Sequence, residues 1–369
     1  MVGFREAFGV LEDPRAANCQ HELLDVLFIA LAALLCGAEG AADMERFGHA
    51  KEGLLRGFLR LENGIPSHDT FSRVFRILDP TAFEEAFYSF VRAFARSNKI
   101  KLKGVIAIDG KSLRGAYERG RSATPLHLVN AFAAEARLAL ASHKAPDRNE
   151  MDAALDVLQM LQLEGNIVTA DALFCSRSVA KLIVERAGQY VLALKGNQSR
   201  LFGAVRKRFA QSGPRQSASQ LDLRNHDRRE RRTATVIADE KLAVSERFPG
   251  IAAIGRITTR RQLRGGKSQL VVRYYLLSVQ LSAKQLLRVV RSRWSVENQL
   301  HWMLDVVLRE DANRARKDHA GENLAILRKL ALNLLRLHPA KFSLRQKVKS
   351  AGWDEAFLIS LIGQLAHMR

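Results

Sequence analysis

Cysteine is scarce: Cys19, Cys36 and Cys175 are the three in 369 residues. They are odd in number, scattered and never paired as CxxC, which argues against a disulfide framework or a structural zinc site and fits a reducing cytoplasm. Long hydrophobic runs are lacking too. The longest, VLFIALAALLC (26–36), is too short to cross a bilayer and follows Glu22 and Asp25 rather than a basic n-region, so a buried helix is expected there, with no membrane role and no export. Acidic residues are in deficit, 38 Asp and Glu against 58 Lys and Arg, leaving a net charge of +20 and a pI near 10.4. A polyanionic partner follows, because each phosphate neutralised releases counterions. Some basic proteins bind membranes or ribosomal RNA instead, so charge alone gives a partner class. No internal repeat or low-complexity tract stands out.

What is present is a chain 47% apolar, able to build a sizeable core and long enough for two or three units. Residues 1–100 read as helical: HELLDVLFIALAALLCGA (21–38), AADMERFGHAKEGLLRGFL (41–59), HDTFSRVFRILD (68–79) and PTAFEEAFYSFVRAFARSN (80–98). Ser67 or Asp69 is a plausible cap for the third, and Pro80 suits the first turn of the fourth. Short helices joined by a tight turn suit a helix-turn-helix, although generic helix packing gives the same pattern and is preferred.

From residue 104 the texture becomes α/β. GVIAIDG (104–110) is a buried strand ending at an acid and a glycine. A hairpin is expected from LHLVNAFAAE (126–135) and RLALASHKA (137–145). NEMDAALDVLQMLQLEG (149–165) is a helix closed by Gly165, and NIVTADAL (166–173) a second strand ending at an acid. SRSVAKLIVERAG (176–188) is a helix capped by Ser176 and stopped by Gly188, and QYVLALKGNQ (189–198) a third strand. Residues 199–282 read as a β-rich insertion (TATVIA, AAIGRITT, LVVRYYLLSV) with two basic loops, RNHDRRERR (224–232) and RRQLRGGK (260–267). Such runs are more often solvated faces than DNA grips; the excess positive charge favours DNA here. A helix from Ala283 to about Leu308 carries Val289, Val296, Leu300, Met303 and Val307 as one apolar stripe, with Glu297 about 100° from its centre. NLAILRKLALNLLR (323–336) is a further amphipathic helix.

Asp109 and Asp171 close apolar strands, where ligands of open α/β sheets gather. Either alone reads as a turn cap. Together with a third acid on a sheet-packing helix they read as a metal site, because a carboxylate beyond a buried strand needs a partner. Two Mg²⁺-type ions about 4 Å apart can serve phosphodiester chemistry on such ligands. Lys111, Arg114, Lys195 and Arg293 lie near the acids in sequence and could steady charge on phosphorus, though surface solubility explains any one of them. Arg293, Glu297 and His301 are neighbours on one helical face. An ExxxH pair suggests zinc, but no second histidine or cysteine follows at metal spacing. Trp294 and Trp302 read as packing residues, with base stacking open to Trp294. Asp305, Glu310 and Asp311 are rivals for the third acid.

These segments together resemble the DDE transposases of bacterial insertion sequences, in particular the ISAs-type group with the H-repeat-associated proteins. HELLDVLFIALAALLCGA and NGIPSHDTFSRVF resemble that group's N-terminal region, VIAIDGKSLRGA its first-aspartate motif, and IVTADALFC with YVLALKGNQ its second. RWSVENQLHWMLDVVLREDANRARKDHAGENLAILRKLALNLLR resembles its C-terminal signature. The resemblance implies an RNase H-like α/β core interrupted by a β-rich insertion, and Asp109, Asp171 and Glu297 as catalytic metal ligands. It departs at Val290 and Leu304, which stand where relatives carry Tyr and Lys around the last acid, and at Ser176, where many have Gln.

The resulting expectation is a helical N-terminal region (1–100), a core in two parts (101–198 and 283–340) flanking the insertion (199–282), and a helical tail (341–369). The activity expected is cleavage and strand transfer with two Mg²⁺ ions, Mn²⁺ substituting. The partners expected are terminal inverted repeats and target DNA, bound by a homodimer in the cytoplasm at the nucleoid. A relict that only binds DNA, or an RNase H-like nuclease that never joins strands, are the alternatives.

Overall fold

The computed structural model describes residues 2–117, 125–211, 217–225, 228–262 and 268–365. Helices open the chain: α1 (Val2–Phe8), α2 (Leu23–Leu35), α3 (Ala41–Ala50), α4 (Glu52–Leu55), α5 (His68–Ile77) and α6 (Pro80–Ser97). Side chains start two of them. Ser67 accepts from Thr70 N at α5, and Asp79 accepts from Thr81 N at α6, with Pro80 in the first turn. The helix expected over 41–59 is broken at Lys51, whose backbone leaves the helical region and separates α3 from α4. Helix α1 lies in the stretch expected to be helical but before the first of the four named segments.

Strands β1 (Val105–Tyr117), β2 (Pro125–Ala133), β3 (Leu138–Lys144), β4 (Ile167–Ala170) and β5 (Gln189–Leu194) follow, with α7 (Glu150–Met160) and α8 (Arg177–Glu185) between them. The expected hairpin is β2–β3. Strand β1 does not end at Gly110 but continues to Tyr117, because β2 keeps pairing with it after β4 has stopped. Ser176 caps α8 through Val179 N, but the left-handed residue at its end is Ala187, not Gly188. Gly188 is needed for closeness: a Cβ there would lie 2.9 Å from Leu163 Cβ.

The next stretch contains α9 (Ser199–Gln211), β6 (Ser217–Asn225), β7 (Arg228–Ala238), α10 (Lys241–Ser245), β8 (Ala253–Gln262) and β9 (Ser268–Leu277). Helix α9 and strand β6 were not legible in the sequence. The basic stretches read as loops lie partly in strands, 228–232 in β7 and 260–262 in β8. Residues 226–227 and 263–267 are outside the described residues. Among the described residues all strands form one sheet, ordered β3-β2-β1-β4-β5-β9-β8-β7-β6. The β1–β4 and β4–β5 pairs are parallel and the rest antiparallel. The β-rich stretch therefore prolongs the sheet instead of closing on itself.

The chain ends in helices: α11 (Ala283–Ser295), a π-helical segment (Val296–His301), α12 (Trp302–Val307), α13 (Ala320–Leu337), α14 (Leu344–Trp353) and α15 (Glu355–Gly363). Ser282 starts α11 with a capping box shared with Gln285. The wide π turn resets the helical register, so the buried stripe runs Val289, Val296, Leu300, Leu304 and Leu308. Met303 and Val307, expected in that stripe, are only half-buried.

Helix α13 was expected to be amphipathic but is buried on nearly every side. Its polar residues bind backbone. Asn333 pairs with Ala139 N and O at 3.0 and 2.9 Å, and Asn323 reaches the carbonyls of Phe75 and Leu78 at 3.0 and 2.9 Å. It is thus the spine joining α5 to the β3 edge, and one apolar cluster extends from α1 to α15. No described helix is long and apolar enough to cross a membrane.

Candidate active site

The parallel pairing of β1 with β4 runs from Val105↔Ile167 to Ile108↔Ala170. The next residues are Asp109 and Asp171, so two carboxylates stand side by side where β4 stops. Asp171 does cap the following turn, Oδ1 accepting from Leu173 N at 2.6 Å. Its Oδ2 is 3.9 Å from Lys195 Nζ, and Lys195 itself follows the last residue of β5. The middle of β1 and the ends of its neighbours β4 and β5 therefore contribute one charged group each.

Alternation along β1 puts Asp109 and Lys111 on the face covered by the π segment. Burial is the first cause that pushes the Asp109 carboxyl up to about 6; Arg293 opposes the shift, and Asp171, Glu297 and Glu150 add to it. Arg293 and the two expected partner acids thus all act on Asp109. His301 Nδ1 lies 3.8 Å from Asp109 Oδ2. Burial, helped by Lys111, pulls His301 down to about 3, so it is neutral and offers Asp109 a dipole rather than a charge. Its Nε2 contacts Asn130 Nδ2 at 3.3 Å. Glu297 is exposed and sits inside the π segment, a distortion frequent at functional sites.

The cations expected at DNA separate. Lys111 is a correction: it is 8% exposed, bonded to Asp305 and, at 2.6 Å, to Glu310. Its ammonium is committed inside the fold and cannot meet a phosphate. Arg114 has an 86% exposed side chain, 3.8 Å from Asp311. Arg293 lies 5.0 Å from the Trp294 ring. The rival third acids are thereby accounted for, since Asp305, Glu310 and Asp311 pair with cations of β1. Burial would raise Glu310, yet Lys329, Lys111 and Arg328 hold it down to about 2. Trp294 and Trp302, read as packing residues, are 39% and 54% exposed.

Sequence reading missed the other face of β1. Ser112 Oγ is 2.8 Å from His127 Nδ1, and His127 Nε2 is 2.7 Å from Glu150 Oε1. No motif spacing announces this trio, because it is made by the β1–β2 register and the start of α7.

The residues can be tested against a divalent cation. The donors are hard carboxylate oxygens, and the Asp109 carboxylate is disfavoured first by burial and then by neighbouring acids, both of which a bound cation would offset. Asn130 Oδ1, across the ladder from Asp109, is buried without a hydrogen-bond partner. The donor set fits in kind. Its geometry is not gathered: among the described residues no three His, Cys, Asp or Glu side chains are grouped closely enough to hold an ion.

Two family patterns match the chain, a transposase DDE domain over residues 100–334 and a DDE_Tnp_1-associated region over 5–91. The "H repeat-associated putative transposase YhhI" of Escherichia coli (strain K12) is 33% identical over 97% of both chains. An "Uncharacterized protein in dhlA 3'region" of Xanthobacter autotrophicus is 40% identical over 70% of this chain and 88% of its own.

Proposed function

The chain belongs to the DDE transposases of the H-repeat-associated type, and from that premise we propose that it cuts DNA at the ends of an insertion sequence and joins them to target DNA. The observation that carries the reading is the placement of Asp109 beside Asp171 where β4 stops, with Glu297 acting on the same carboxylate from the helix above.

Asp109, Asp171 and Glu297 are the ligands in this reading, and Mg²⁺ or Mn²⁺ the ions, two of them. When bound, the pair would activate the attacking oxygen and steady the leaving one. The chain's own groups prepare the site. Asp171 keeps one oxygen on the turn and turns the other toward Lys195, a long contact that a metal ion would replace. Neutral His301 limits the positive charge near Asp109, leaving that carboxylate for a cation. Arg293 and Lys195 are the cations placed to meet a phosphate, and exposed Arg114 is a further contact.

The strand order β3-β2-β1-β4-β5 supports an RNase H-like core made of 101–198 and 283–340, with 199–282 inserted. In this reading residues 1–100 touch the inverted repeats and 341–369 form a helical tail. Two ends need two cuts, which favours a homodimer on DNA, working in the cytoplasm at the nucleoid.

The test is end-containing DNA with Mg²⁺, comparing the chain with Asp109→Asn. Cleavage and joined product from the first, and binding without cleavage from the second, support the proposal. Binding without cleavage by both would establish a relict; flanking cuts with no joined product would establish a nuclease.

A further inference from the structure

A groove of about 960 Å³ separates the polar flank of α11 and the π segment from β7, β8 and the β2–β3 turn. Five arginines line it: Arg137, Arg232, Arg261, Arg288 and Arg291. Two acids, Glu135 and Glu230, stand against them. Small-molecule pockets of this size are mostly apolar; this one is walled with charge.

The arginines of the insertion are not splayed into solvent. Register pairs Glu230 with Arg261, Arg232 with Thr259 and Ala234 with Ile257. Ala234 and Ile257 pack against Leu286 and Val289 of α11. Alternation therefore turns Glu230, Arg232 and Arg261 toward α11 as well. Glu230 is 8% exposed and holds both arginines. Its Oε1 accepts from Arg232 Nε at 2.8 Å, and its Oε2 accepts from Arg261 Nε at 3.1 Å. Fixing a guanidinium through one edge directs its remaining N–H groups, as phosphate recognition requires.

We propose that this groove seats the phosphate backbone of bound DNA, and that Glu230 is the positioning residue that orients Arg232 and Arg261 toward it. The inference rests on the transposase reading and assigns part of its DNA surface. The excess of arginine across a confined groove is relieved by a polyanion. The acid in its wall serves geometry at the expense of net charge.

Those two roles of Glu230 have opposite signs, which makes the test decisive. Labelled end-containing duplex is titrated with the full chain, Glu230→Gln and an Arg232→Ala/Arg261→Ala pair, each checked by thermal melting. Metal-free buffer keeps the DNA uncut. The arginine pair should bind about tenfold weaker or more, with a salt slope shallower by nearly two phosphates. Glu230→Gln should also weaken binding several-fold, although it removes a negative charge. Trp294, left as sole tryptophan by Trp302→Phe and Trp353→Phe, should change its fluorescence on DNA binding. Tighter or unchanged binding by Glu230→Gln, or unchanged binding by the arginine pair, overturns the proposal. If the groove variants bind and cut like the unmodified chain, the groove assignment alone fails. If the unmodified chain binds through the groove but never cuts with Mg²⁺, the transposase reading alone fails.

Discussion

Lys111 Nζ lies 2.6 Å from the Glu310 carboxylate, across 199 positions of sequence. The contact ties the strand of Asp109 to the turn that follows the helix of Glu297. Asp305 shares the same ammonium, and Lys329 approaches Glu310 from below at 3.5 Å.

Breaking this buried set from one side leaves charge without a partner, a loss of about 3–5 kcal/mol. Lys111→Met should therefore lower the denaturant midpoint sharply. Adding Asp305→Asn should recover part of that loss, because Asp305 is the carboxylate left without a cation, whereas Glu310 keeps Lys329. A single variant as stable as the parent would show that the ammonium contributes nothing there.

Asp109 gives a pH signature. Its carboxyl is raised to about 6 by burial and neighbouring charge, so the folded chain holds the proton more tightly than the unfolded one does. Stability linked to this group is present at low pH and falls as pH rises from about 4 through 6. Without metal, Asp109→Asn should be more stable than the parent at pH 8, by about 1–3 kcal/mol. The difference should vanish below about pH 4, near the ordinary carboxylate range. Mg²⁺ should narrow the gap at pH 8 by stabilising only the carboxylate form. Melting curves against pH, with and without Mg²⁺, decide it.

Glu297 separates activity from stability. It is exposed, so Glu297→Gln should change stability by no more than about 0.5 kcal/mol. As a metal ligand it should cost cleavage a hundredfold or more. Cleavage that survives the substitution would remove Glu297 from the site, and the three rival acids downstream, already paired with β1, could not replace it without unpairing Lys111 or Arg114.

The acids were legible because buried parallel strands print a strong apolar signal, and Asp109 and Asp171 interrupt it at matching ends. Glu297 came from the family signature and from its place near a stripe. The stripe's far half was wrong because nothing in VENQLH announces a π turn, and one extra residue in a turn moves every later side chain round the helix. Lys111 was misread for a related reason. Its partners lie 194 and 199 positions away, so local sequence cannot distinguish a buried ammonium from a surface one. The Ser112–His127–Glu150 trio and the Glu230 clamp were invisible because strand register creates both.

Two glycines of β1 offer a last contrast. At Gly115 an added Cβ would lie 2.5 Å from the backbone oxygens of both Asp311 and Asn313. Backbone cannot swing aside, so Gly115→Ala must push β1 away from the turn that carries Glu310, at a cost of about 1–3 kcal/mol or more. At Gly110 the obstacles are side-chain tips, Glu150 Oε2 at 2.6 Å and His127 Nε2 at 2.8 Å. Glu150 can rotate off, so Gly110→Ala should cost less stability than Gly115→Ala while separating Glu150 from His127 beside Asp109. Denaturation midpoints of the two variants measured together test the ordering. If Gly110→Ala proved the more damaging, the His127–Glu150 pair would be rigid, and the site would be held as firmly from the α7 side as from the π segment.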